Sequence, residues 1–156
     1  MSYRVPDEPQ PGALAAYAVN PFWPFLAMML GGTWVGLPWF VFNGRAIGSA
    51  TKTRETLLAI VMPLAALALA FVGLVYIQQA DLPKRAAHYL FVLVTALKLG
   101  CGYWLYLHQS RSFEIYEYFG GKVRQGMIFV IAGSVLRTVV VQAAFDASVW
   151  LGILVM

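Results

Sequence analysis

The sequence predicts an all-α integral membrane protein, a bundle of four spanning helices, on three observations. Hydrophobic residues fill 60% of the 156 positions and charged residues only 12%, so lipid is the expected solvent. Four apolar runs, each near the roughly 20 residues that cross a hydrocarbon core of ~30 Å, take up most of the chain. None of them alternates with period two, and backbone in lipid must satisfy its own hydrogen bonds, which leaves closed helices rather than a barrel.

Taken in order, residues 1–20 form a polar or interfacial tail. Met1 to Gly12 carries Asp7, Glu8 and three prolines and lacks the basic start of a cleavable signal peptide. The spans are expected at 22–42, 56–77, 86–107 and 127–149, all within a single transmembrane domain of 1–156. In the third loop, Phe113, Ile115, Tyr116, Tyr118 and Phe119 alternate with Glu114 and Glu117 before Gly120-Gly121. That pattern predicts a short interfacial helix, with an ordinary solvated loop as the alternative. Trp23 and Trp39 flank the first span and, with Tyr116 and Tyr118, are the candidate interfacial anchors. The halves look alike, each a glycine- and aromatic-rich helix, a basic loop and a second apolar helix, so the bundle reads as two similar hairpins.

Orientation follows from the cations. Arg45, Lys52, Arg54, Arg111, Lys122 and Arg124 put six on the side of loops one and three, against Arg4, Lys84 and Arg85 on the other. Loops one and three are therefore expected in the cytoplasm and both termini outside, in a bacterial inner membrane. The formal net charge of +4 is dispersed, which favours anionic lipid headgroups over nucleic acid as partners.

The run Gly31-Gly32-x-x-x-Gly36, then Trp39-Phe40-x-x-Asn43-x-Arg45-Ala46-x-Gly48 and a basic stretch, resembles small bacterial polytopic membrane proteins of uncharacterised function. The resemblance covers about a third of the chain, implies a first helical hairpin, and carries no activity. Small fluoride channels share a glycine-rich first helix followed by arginine, but the second span here contains no asparagine.

Enzyme signatures are absent: there is no HExxH, G-x-S-x-G or phosphate loop, and Gly120-Gly121-Lys122 reads as a helix-ending turn. Cys101 is the only cysteine, which excludes an internal disulfide or a CxxC pair. His88 and His108 are 20 residues apart on one predicted helix, about 30 Å along its axis. They cannot be the two axial ligands of one haem within the chain, and no cofactor or metal is expected.

The most informative residues are Lys98 and Arg137, each near the middle of its span. A cation there costs roughly 2.5–3.5 kcal/mol unless it finds partners or water. Asp146, the only carboxylate inside the apolar runs, lies nine residues beyond Arg137, on the opposite helix face and about 13 Å away. Three readings stay open for the basic pair: snorkelling or bonds to backbone carbonyls freed beside Pro38 or Pro63, a carboxylate on another subunit or protein, or a wet groove for an anion or lipid phosphate. Gly32 and Gly36 in the first span, and Gly133 and Ser134 beside Arg137, are candidate helix-packing positions. The expected function is non-catalytic: binding a membrane-protein partner, or a second copy, as an accessory subunit, assembly factor or immunity-type inhibitor. The alternative is a small oligomeric channel or transporter whose anion or lipid pathway is lined by Lys98 and Arg137.

Overall fold

The computed structural model describes residues 12–83 and 85–156. Among these the chain is all-α, with a 3₁₀ turn at Ala13–Tyr17 followed by six helices: α1 Phe22–Gly31, α2 Thr33–Ala46, α3 Lys52–Gln79, α4 Arg85–Tyr118, α5 Met127–Ala147 and α6 Val149–Val155. Three of them, α3, α4 and α5, are long and apolar enough to cross a membrane, which suggests an integral, multi-pass membrane protein. Tyr89, Val92, Ile128 and Val139 on these helices are each more than 60% exposed, as lipid-facing residues should be.

The first predicted span is not one helix. At Gly32 the backbone takes φ +103, a conformation that L side chains rarely adopt. The chain then reverses, so α1 and α2 lie antiparallel. A Cβ at Gly36 would run into the backbone of Met28, which makes Gly36 the point of closest approach inside this hairpin. Gly36 therefore packs one helix on another within the chain, but the two helices are halves of one apolar run that turns back at Gly32.

That reversal also corrects the topology. The segment before α1 lies with loops one and three, not across the membrane from them: Arg124 N donates to Ala18 O at 2.8 Å and Val19 N to Asn43 Oδ1 at 2.9 Å. Ala18, Ala46, Ile47, Phe113 and Tyr116 form one buried cluster there. The described part of the tail thus shares a side with the basic loops; Arg4, Asp7 and Glu8 lie outside the described residues.

Two further boundaries differ. The expected interfacial helix at 113–119 is the end of α4, which runs unbroken to Tyr118 because Phe113 and Tyr116 bury against Ala18, Ala46 and Ile47 while Ser112 meets Ser49 of loop one at 3.2 Å. Gly120, at φ +79, ends it. The fourth span stops at Ala147; Ser148 then caps α6, its Oγ accepting from Trp150 N at 3.2 Å. α6 folds back along α5 onto α3 and α4, with Ile153 packed on Ala66, Ala70 and Val94. The two-hairpin repeat is therefore absent: one half is a folded-back helix pair before α3, the other two long helices and a short return. α1 sits centrally, against α2, α4 and α5, and Met28, Leu37, Phe40, Ala59, Met62 and Leu105 make the principal core.

Candidate functional site

Two half-length helices end inside the protein, and their ends meet. The last carbonyls of any helix lack intrahelical partners and carry the negative end of its dipole. In water such groups are solvated; within a membrane the protein must supply the donors. Here it does so with the residues the sequence marks as anomalous.

Lys98 stands about 20 Å along α4 from Arg85 and is 2% exposed. Its Nζ donates to Ile153 O at 2.5 Å, with Leu154 O at 3.5 Å, so the ammonium sits on the carbonyl end of α6. Thr33, the first residue of α2, brings its hydroxyl within 2.7 Å of Leu154 O and 2.9 Å of Val155 O. One proton serves one of the two at a time. Gly32 is fitted to the same end, since a Cβ there would lie 3.0 Å from Val155 O. The carbonyls that engage Lys98 belong to α6, not to the helices carrying Pro38 and Pro63.

Arg137, half-way along α5, donates from a guanidinium nitrogen to Leu30 O at 3.3 Å, at the end of α1. Trp34 Nε1 donates to the neighbouring Gly31 O at 2.7 Å. Gly133 packs against Val35, and Ser134 bonds back to Val130 O at 2.8 Å. Lys98 and Arg137 thus serve two different helix ends, and their circumstances diverge: Lys98 is enclosed, whereas Arg137 is exposed where α5 borders α1.

A second polar cluster, undetected in the sequence, ties the basic side together. The Glu55 carboxylate accepts from Ser49 Oγ at 2.6 Å, Thr51 Oγ1 at 2.7 Å and Gln109 Nε2 at 2.8 Å. Gln109 Nε2 also donates to Phe40 O at 2.6 Å, while Gln109 Oε1 accepts from Asn43 Nδ2 at 3.2 Å. Gly44 leaves the room: a Cβ would collide with the Glu55 and Gln109 side chains. Since Asn43, Glu55 and Gln109 are all at most 3% exposed, this satisfied network pins α2, α3, α4 and, through Val19, the N-terminal segment.

Of the aromatic candidates, Trp23 and Trp39 both crowd Gly126, and Trp39 stacks edge-on against Phe129 at 5.5 Å. Tyr116 is buried, its hydroxyl 3.2 Å from Ala15 O and 3.1 Å from Lys122 O; Tyr118 is 86% exposed. Two apolar grooves flank α2. One, of about 400 Å³, lies between α2 and α3 and reaches the α6 end; the other, of about 700 Å³, lies towards α5, with Arg124 at its mouth over the Tyr17 ring at 5.4 Å.

No protein family, curated protein or solved structure matches the chain.

Proposed function

We propose that this chain is a non-catalytic integral membrane protein that binds a partner protein within the membrane, with α5 and the exposed end of α1 as the contact. The observation that carries the reading is Arg137. It stands half-way along an apolar helix, is exposed, and makes one bond, to Leu30 O, among the described residues. A guanidinium offers five N–H donors and keeps its charge, so its position on that face asks for an acidic group from elsewhere.

The partner is better matched by a different protein than by a second copy. Copies related by rotation about the membrane normal repeat every residue at its own depth, so a symmetric α5 contact sets Arg137 against Arg137. None of the described side-chain carboxylates is near that depth: Glu55, Glu114 and Glu117 belong to the basic end, while Asp81, in the α3–α4 turn, and Asp146 belong to the other. An Asp or Glu within a partner's spanning helix meets the requirement.

The same reading places loops one and three in the cytoplasm. Among the described residues, Arg45, Lys52, Arg54, Arg111, Lys122 and Arg124 gather at that end and Arg85 at the other, the asymmetry that orients the chain. The alternative, an anion or lipid pathway lined by Lys98 and Arg137, is weakened because Lys98 is committed to α6 carbonyls and each cation serves its own helix end.

The test is purification in mild detergent with and without Arg137→Gln. A single stoichiometric membrane protein, bearing a mid-span acid, should accompany the native chain and be lost from the variant, because removing one side of a desolvated charge pair costs about 2–5 kcal/mol. Conversion of the partner's acid to its amide should produce the same loss. Equal recovery with both forms, or anion flux in liposomes that disappears on replacing Lys98 and Arg137 by leucine, sinks the proposal.

A further inference from the structure

The face of the protein formed by α2 and α3 has a basic niche above a hydrophobic trough. Arg45, from the last turn of α2, and Lys52, Thr53 and Thr56, from the first turns of α3, surround a hollow of about 350 Å³ whose floor is Leu57 and Ile60. Ile60 also lines the 400 Å³ groove below it, so the two hollows adjoin at this residue. Further down, the walls are Val41, Pro38 and Trp34 on α2 and Pro63 and Leu64 on α3, and the groove closes against Leu154 and Val155 of α6. Glu55, the acid nearest these cations in sequence, faces inward to Ser49, Thr51 and Gln109 and leaves them uncompensated from that side.

We propose that this face binds one anionic phospholipid of the cytoplasmic leaflet. Its phosphate sits between Arg45 and Lys52 and accepts from the Thr53 hydroxyl, the Thr56 hydroxyl being donated to Lys52 O at 2.8 Å, and an acyl chain lies in the α2–α3 groove. Charge, chemistry and length all agree with this occupant. Two cations and the Thr53 hydroxyl match a phosphate and its glycerol oxygens, and a guanidinium can engage two phosphate oxygens at once. From Lys52 to Leu64 is twelve residues, about 18 Å of helix, against about 15 Å for half of a ~30 Å hydrocarbon core. The groove therefore ends where a single leaflet ends. A free phosphate would use the niche and leave the trough unfilled. The groove beside α5 has one cation at its mouth, already over the Tyr17 ring, and makes a poorer headgroup site. This proposal is independent of the protein contact at Arg137, which lies on α5.

The experiment is native mass spectrometry of the full chain in detergent, titrated separately with phosphatidylglycerol, phosphatidylcholine and inorganic phosphate. Phosphatidylglycerol should be retained in preference to phosphatidylcholine, and inorganic phosphate should not displace it. Each surface cation is worth about a fivefold change in affinity, so R45Q/K52Q should weaken phosphatidylglycerol binding about 25-fold. Arg124→Gln removes one charge from the same side of the protein and should leave binding unchanged. Ile60→Trp, at the junction of niche and groove, should weaken both lipids. Retention of phosphatidylglycerol by R45Q/K52Q at the native level overturns the site. Equal losses from R45Q/K52Q and Arg124→Gln would reduce it to diffuse surface charge. Full displacement by inorganic phosphate would make it a phosphate niche without a lipid.

Discussion

Replacing Lys98 by methionine isolates the part played by the buried ammonium, because the stem keeps nearly the same length while the donor and charge vanish. Ile153 O then loses its partner, and Leu154 O keeps only the Thr33 hydroxyl. A hydrogen bond from a charged donor is worth about 1.5–3 kcal/mol. Against this, removing a cation from the middle of a span recovers roughly 2.5–3.5 kcal/mol. The two nearly cancel in the stability of the whole protein, so Lys98→Met should melt close to the native chain. They do not cancel locally. The lost bond falls entirely on the docking of α6, and 1.5–3 kcal/mol corresponds to roughly 10- to 150-fold at about 1.4 kcal/mol per decade. Hydrogen exchange in lipid nanodiscs reads this directly, since amide exchange follows local opening. Peptides covering Val149–Val155 should exchange faster by that factor, while α3 and α4 stay protected. Unchanged exchange in α6, or a uniform rise along the chain, would refute the assignment of Lys98 as the group that holds this helix end.

Glu55→Ala removes the acceptor shared by Ser49, Thr51 and Gln109; with buried donors left unpartnered at about 1–3 kcal/mol each, the melting temperature in detergent should fall clearly, and Glu55→Gln should fall less. Gly36→Leu forces a side chain onto Met28 at the α1–α2 contact and should cost about 1–3 kcal/mol or more, the usual penalty of overpacking, seen as lower thermal stability and a broadened size-exclusion peak.

Composition and hydropathy reveal a helical membrane protein because they sum over many residues. They do not register direction. A run of 21 apolar residues has the same mean hydropathy whether it crosses the bilayer or enters and returns, so 22–42 reads as a span although it folds at Gly32. Residues 127–149 likewise conceal the break at Ser148, a good capping residue two positions after Asp146 in a predominantly apolar run. Signals for both were present, in a glycine pair followed by threonine and in a serine beside the one acid of the fourth run. They carry little weight beside twenty hydrophobic neighbours. The Asn43–Glu55–Gln109 network lay out of reach for another reason: its members are 66 and 54 residues apart along the chain, and only the packed fold shows that they share donors.

Lys98 and Arg137 connect the two levels. Read against straight spans, they are charges without counterions, and their cost calls for a partner or for water. With helices that stop part-way, the demand changes sign: α1 and α6 end with exposed carbonyls, and a long side chain with several donors is an inexpensive way to satisfy them in lipid. A mid-span cation opposite an apolar run interrupted by glycine or serine is therefore also a sequence signal for a helix end at that depth. The two residues then separate by how much of each is used. An enclosed ammonium on two α6 carbonyls has found its partners, whereas a guanidinium with a single 3.3 Å bond on an exposed face has donors to spare. Hence Lys98 is argued to hold the fold together, and Arg137 to reach beyond it.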